Sequence, residues 1–361
     1  MKNKNYKVKS PEEKKQEIEH LTNKMYEKME NYTTNPEDLK EYLQFMSRFP
    51  NYSAKNQQLI YSQMPGATGV GSFAYFKKQG LSVLKGQKAI KIFVPTQVTL
   101  FQRGKEWIQV SQATPEEKTK IKSGELKNIK QIQRFKLGNV FDMSQTNAKE
   151  SDYPKLFPKT YHFEHNGDLK EIREGLENIA KKQGLTVMEV DDLGSTKGAY
   201  LQLMREDNQK SVKEWIELNQ DSSPSHQVST LIHELAHSRL HNAETIKKKK
   251  IENGGKQPSA AIQELQAEMT AYVVASKFGM DTEEKSLPYI AGWTNNGQKI
   301  EDRLAVLSDV QRVSKDLITE LEEELDPSLK KEHKIEKNNY EKDDGNEQAT
   351  YYQSGKPDLV R

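Results

Sequence analysis

The chain has 361 residues, 34% of them apolar and 30% charged, with 55 Lys or Arg against 53 Asp or Glu. That length accommodates two domains, and the polar balance predicts solvated segments around the folded parts. With no cysteine, disulfides, thiolate metal ligands and a thiol nucleophile are excluded, so a metal site must use nitrogen and oxygen.

Met1-Lys2-Asn3-Lys4 leads into no apolar run, and nowhere do about 18 consecutive apolar residues occur. A cytoplasmic protein without membrane association is expected. Residues 9 to about 50 are rich in Glu and Lys, with Ile18, Leu21, Met25 and Met29 at helical spacing, which predicts one or two amphipathic helices. From 51 to 110 the texture turns to Gly, Val, Ile, Phe and Tyr with turn signals at Pro65-Gly66 and Gly104, predicting short strands and one or two helical turns. The Lys-, Glu- and Gln-rich stretch 111–133 reads as an exposed insertion, and Phe135 to Phe141 as a short strand. An α+β architecture follows: a basic N-terminal domain over 1–147, a linker at 148–158, a second domain over 159–325 and a disordered charged tail at 326–361. In the second domain helical periodicity covers 169–183, and strands are expected at 185–190, 199–204 and 215–218. Ser223-Pro224 opens a helix through His241, a second runs from Ser259 to Phe278, and a third occupies 299–325.

The helix after Ser223 carries the chemistry. His233 and His237 stand four residues apart, one turn up the same face, so two imidazoles aim at one point. Glu234 lies beside them, placed to take a proton from a metal-bound water. Such a site needs a third protein ligand, and the next helix offers Glu264 and Glu268, again one turn apart. Glu264 is assigned as the third ligand to Zn2+ and Glu268 as the carboxylate behind a ligand histidine, though the two roles could be exchanged. The pattern predicts metal-assisted hydrolysis of an amide in a protein or peptide, with Tyr272 or His241 nominated as oxyanion donor.

Residues 51–110 hold eight Lys or Arg against the single acid Glu106, interleaved with eight aromatics. These are ingredients for neutralising phosphates and stacking unpaired bases, so single-stranded nucleic acid is one partner indicated. A solubilising face over an aromatic core is the competing reading.

The run Asn51-Tyr-Ser-Ala-Lys-Asn-Gln-Gln-Leu-Ile60, then Gln63-Met-Pro-Gly-Ala67, Gly80, Lys85-Gly86-Gln-Lys88, Ile92-Phe-Val-Pro95 and Val140-Phe-Asp-Met-Ser-Gln-Thr146, resembles the N-terminal single-stranded-DNA-binding domain of ArdC-type antirestriction proteins. His233-Glu-Leu-Ala-His237 with the acidic helix is similar to that family's zincin-like metallopeptidase domain, and more distantly to ImmA/IrrE-type peptidases. The resemblance implies a mobile genetic element, protection of incoming DNA during conjugation, and DNA contacts from Tyr52, Lys55, Asn56, Lys77, Lys78, Lys85, Lys88 and Lys91. Two other functions fit the same residues: a regulatory metallopeptidase that cleaves a repressor, and a non-catalytic DNA-binding protein with a structural zinc.

Overall fold

Helix starts in this chain are written in side chains that accept the N–H groups a first turn cannot satisfy. In the computed structural model, which describes residues 10–149, 152, 166–191, 193–194, 196–204, 211–252, 257–280 and 303–329, Ser10 and Glu13 form a capping box on α1 (Pro11–Tyr32). Asn35 caps α2 (Pro36–Arg48) and Ser53 caps α3 (Ala54–Gln63). The chain continues through β1 (Val70–Ser72), α4 (Phe73–Lys78), β2 (Ile90–Arg103), β3 (Glu106–Gln109), α5 (Pro115–Ser123) and β4 (Ile129–Asp142). Then follow α6 (Asn166–Lys182), β5 (Thr186–Val190), β6 (Gly198–Met204), β7 (Ser211–Asn219), α7 (Pro224–Leu240), α8 (Ala243–Glu252), α9 (Ala260–Lys277) and α10 (Arg303–Leu325).

Two sequence expectations are corrected here. The stretch 111–133 is not a featureless insertion, because it holds α5 and the opening residues of β4. Residues 51–110, expected as short strands with one or two helical turns, hold the short strands β1 and β3 but also two full helices and a strand of 14 residues. Both errors share a cause: β2 and β4 are largely half-buried or exposed along their length, so their apolar periodicity is faint. The linker expected at 148–158 lies outside the described residues apart from 148, 149 and 152, and so does the expected tail beyond Leu329.

The described residues form two units. One comprises residues up to Ile90 together with Val140–Leu329, and the other is Lys91–Asn139.

In the first unit, β5 pairs parallel with β7 and β6 pairs antiparallel with it, giving the order β5-β7-β6 with β6 at an edge. Helix α7 packs on β6 and β7, α6 lies beside it, and α9 packs against α7 on one side and α10 on another. Leu265, Ala267, Met269, Ala271, Val273, Val274 and Ala275 of α9 are all buried. Apolar residues that fall on all sides of a helix need cover on all of those sides. The N-terminal α2 supplies part of that cover and buries its own Leu39, Leu43, Phe45 and Met46, so α1–α3 belong to the same unit as α7 and α9, across the boundary expected from sequence. Gln44 Nε2 donates to Tyr272 Oη at 3.0 Å, and Gln311 Nε2 of α10 donates to the Pro50 carbonyl at 3.0 Å. The end of β4 returns to this unit, where the fully buried Asp142 carboxylate accepts the Thr68 and Gly69 N–H groups.

The approach of β6 to α7 depends on Gly198. A Cβ there would meet Thr230 Cγ2 at 2.5 Å and the Glu217 carbonyl at 2.9 Å. Gly198→Ala is therefore expected to lower stability by about 1–3 kcal/mol in chemical denaturation. Gly66→Ala, with open space around it, serves as the control expected to leave the midpoint in place.

In the second unit β2 pairs antiparallel with β3, Gln102 standing opposite Trp107. Gly138 of β4 sits where a Cβ would come within 2.3 Å of Val94 Cγ2. Arg103 makes two hydrogen bonds to Glu117 of α5, and its guanidinium draws the Glu117 carboxyl down to about 2.

Candidate metal centre

Ser223 caps α7 by accepting the His226 N–H, and Pro224 occupies its first turn. The helix then buries Val228, Leu231, Ile232, Leu235, Ala236 and Leu240, which turns the row His233, His237, His241 toward α9. His233 Nε2 and His237 Nε2 stand 3.0 Å apart. Glu264 presents one carboxylate oxygen 3.5 Å from His233 Nε2 and the other 3.4 Å from His237 Nε2. A tetrahedral ion with ligand bonds of 2.0–2.1 Å requires donors about 3.3 Å apart, so these three residues fit one divalent cation. Ligand atoms of His233, His237 and Glu264 all lie within 4.8 Å of one another.

Glu268, one turn further along α9, places Oε2 3.2 Å from His233 Nδ1. That is the opposite ring nitrogen from the one facing His237, the position from which a carboxylate orients a ligand imidazole. Burial alone would lower the His233 pKa, but hydrogen bonds to Glu264 and Glu268 and the charge of Glu234 outweigh it and hold the imidazolium up to about 10. Glu264 is drawn well below the usual carboxylate range by the same two imidazoles. The field that retains a proton there is the field that attracts a cation, and a metal must displace that proton.

Glu234 is 6% exposed. Burial pushes its carboxyl up, against the pull of His233 and His237. Its Oε2 accepts the Tyr200 backbone N–H at 2.8 Å, so the edge strand β6 fixes this carboxylate beside the histidines. Sequence reading had no signal for that contact. Tyr200 itself donates its hydroxyl to Glu214 Oε2 at 2.7 Å.

The two residues nominated as oxyanion donors have other partners. Tyr272 is 2% exposed and its hydroxyl takes the Gln44 amide. His241 places Nδ1 3.0 Å from His237 Nδ1, on the far side of that ring from the ligating edge, and Nε2 3.1 Å from Gln266 Oε1. Burial lowers the His241 pKa to about 4.

The residues expected to touch DNA are spread over several elements. In the first unit Tyr52 is half-buried and its hydroxyl donates to the Val70 carbonyl at 3.0 Å. Lys55 and Asn56 are half-buried on α3, and burial lowers the Lys55 pKa. Lys77 and Lys78 on α4, and Lys85 and Lys88 after it, are exposed. Lys91 belongs to the second unit, where its Nζ donates to Asn139 Oδ1 at 2.6 Å. That unit also holds Lys130, from the stretch read as an insertion, and Arg134 and Lys136 just after it. Lys130 Nζ lies 4.1 Å from the centroid of the Trp107 ring, which is 42% exposed. Lys130, Arg134 and Lys136 alternate along β4 and therefore share a face.

Comparison with known proteins gives concordant domains. Residues 15–147 match the model of the N-terminal domain of anti-restriction factor ArdC, and residues 180–288 match the IrrE N-terminal-like domain of a metallopeptidase family. A Bacillus anthracis protein, "Uncharacterized protein pXO2-81", is 35% identical over 333 residues, covering 89% of this chain and 54% of the relative. The chain thus spans about half the length of that relative. Two crystal structures of Antirestriction ArdC protein from R388 plasmid also match. The metal-free form has a TM-score of 0.43 at 14% identity over 76% of this chain and 85% of that one. The Mn(II)-bound form has a TM-score of 0.40 at 13% identity over 78% and 90%. No helix among the described residues is long and apolar enough to cross a membrane.

Proposed function

We propose that this chain is an ArdC-type protein, joining an ArdC-like N-terminal domain to an IrrE-like metallopeptidase domain, that it binds single-stranded DNA and hydrolyses peptide bonds at a zinc centre, and that it protects DNA that enters by conjugation. One observation carries the enzymatic half: three donors spaced for a tetrahedral ion lie beside a buried carboxylate held by an edge strand.

His233, His237 and Glu264 would hold the ion, leaving a fourth position for water and substrate. When bound, the ion supplies a Lewis acid for the scissile carbonyl and lowers the pKa of its water to about 7. Glu234 does the proton work: Tyr200 N–H occupies Oε2, so Oε1 is the atom that takes the proton from the attacking water and returns it to the leaving amine. Glu268 orients His233. Zinc is proposed because two imidazoles and one carboxylate, spaced for a tetrahedral ion beside a buried carboxylate, are the donor set of zinc hydrolases.

For the DNA-binding half, residues 91–139 hold ten Lys or Arg against four acidic residues, and Trp107 lies exposed under Lys130. An exposed indole under Lys130, on a strand face that continues to Arg134 and Lys136, is suited to stack one base while the cations neutralise phosphates along the strand. The exposed Lys77, Lys78, Lys85 and Lys88 add positive charge in the first unit. Fluorescence anisotropy with labelled oligonucleotides tests this. Trp107→Ala is expected to weaken binding by about 1–3 kcal/mol without changing the salt slope. Joint replacement of Lys130, Arg134 and Lys136 by Ala should flatten the log K against log salt slope by about 0.7 per lost phosphate contact. Salt-insensitive binding would remove the DNA half of the reading.

A further inference from the structure

Ligand histidines ordinarily pass their outer N–H to a carboxylate or a carbonyl. His233 does so with Glu268. His237 faces a third imidazole instead, His241, with the two Nδ1 atoms 3.0 Å apart. Two ring nitrogens at that distance share one proton, so one donates and the other accepts.

The direction follows from the chain of contacts. His237 Nε2 has to be bare to act as a ligand, which puts its proton on Nδ1. His241 Nδ1 must then accept, and its own proton moves to Nε2, which donates to Gln266 Oε1 at 3.1 Å. The amide nitrogen of that 1%-exposed glutamine donates to Asp309 Oδ2 at 3.1 Å. Lys249 Nζ donates to the same oxygen at 2.7 Å. A reversed Gln266 amide would aim its oxygen at a carboxylate, so the Asp309 end fixes the polarity of every link. The relay ties α7, α9, α10 and α8 into one hydrogen-bonded line.

We propose that His241 is a positioning residue, with Gln266 and Asp309 behind it, that locks His237 in the Nδ1–H tautomer and turns Nε2 toward the ion. The inference rests on the metal-centre reading above and adds to it a role for a histidine that neither binds the ion nor meets substrate. It also accounts for a buried glutamine between two site carboxylates on α9.

Two substitutions separate tautomer control from mere packing. In His241→Asn the amide oxygen takes the place of Nδ1 and can accept from His237. In His241→Gln the amide reaches the Nε2 position and restores the Gln266 contact, but offers His237 no acceptor at Nδ1. Zinc affinity of the full chain, measured by competition with a chromophoric chelator, is expected to fall about 10–100-fold in His241→Gln and to stay close to wild type in His241→Asn. The melting temperatures of the two metal-free variants are expected to coincide. Equal zinc affinities for the two variants, or losses that follow their metal-free melting temperatures, would overturn the relay while leaving the centre intact. A wild-type chain that binds no zinc would remove the centre and the relay with it.

Discussion

Glu234→Gln is expected to hold zinc as tightly as the wild-type chain and to cleave a peptide library about 10²–10⁴-fold more slowly. The side chain keeps its shape, and an amide oxygen can still accept the Tyr200 N–H that now holds the carboxylate at 2.8 Å. What is lost is the oxygen that takes a proton. Mass spectrometry of the cleaved library reads the rate, and elemental analysis of the same sample reads the metal. Undiminished cleavage by a metal-loaded Glu234→Gln chain would place the base elsewhere. DNA affinity should be untouched by this change, which makes the variant a test of whether protection of DNA needs hydrolysis at all.

Loss of metal should grade with distance from the centre. Glu268→Gln removes the charge behind His233, and zinc affinity is expected to drop about 10–100-fold. His237→Ala removes a donor and also strands the His241 relay, so its loss should exceed that range and leave no measurable occupancy at micromolar zinc. A chelator titration run on both variants gives the order. Equal losses would mean that His237 is no closer to the ion than Glu268.

Much of this centre was legible before any coordinates. Ser223-Pro224 marked the start of α7, and histidines four apart on an apolar-backed helix could only share a face. Glu264 and Glu268 stood out because α9 is otherwise apolar, and the structure brings both to the histidine pair, on opposite nitrogens of His233. His241 continued the same four-residue step, but its partner Gln266 and the Asp309 behind that glutamine come from other helices 25 and 68 positions on, and nothing local in the sequence pairs them. The Tyr200 N–H was invisible for a similar reason, since backbone donors have no residue signature.

The fold was legible where burial is one-sided and faint where it is not. One or two amphipathic helices were expected over residues 9 to about 50, but the seat of α2 on α9 required seeing that α9 is buried on almost every side from Leu265 to Ala275. Strands were expected within 51–110 and at 135–141, where β2, β3 and the end of β4 lie, but the length of β2 and the start of β4 were missed, because a half-exposed ribbon carries Lys130 and Arg134 where a core strand would carry apolar residues. The feature that hid the start of the strand is the one on which the proposed DNA-binding surface rests.

Metal content of the purified chain beside His233→Ala, read by elemental analysis after dialysis against trace metals, tests the central claim most directly. About one zinc per wild-type chain, and none in the variant at matched folding by circular dichroism, is the expected result. Equal metal in both, or none in either, would contradict it.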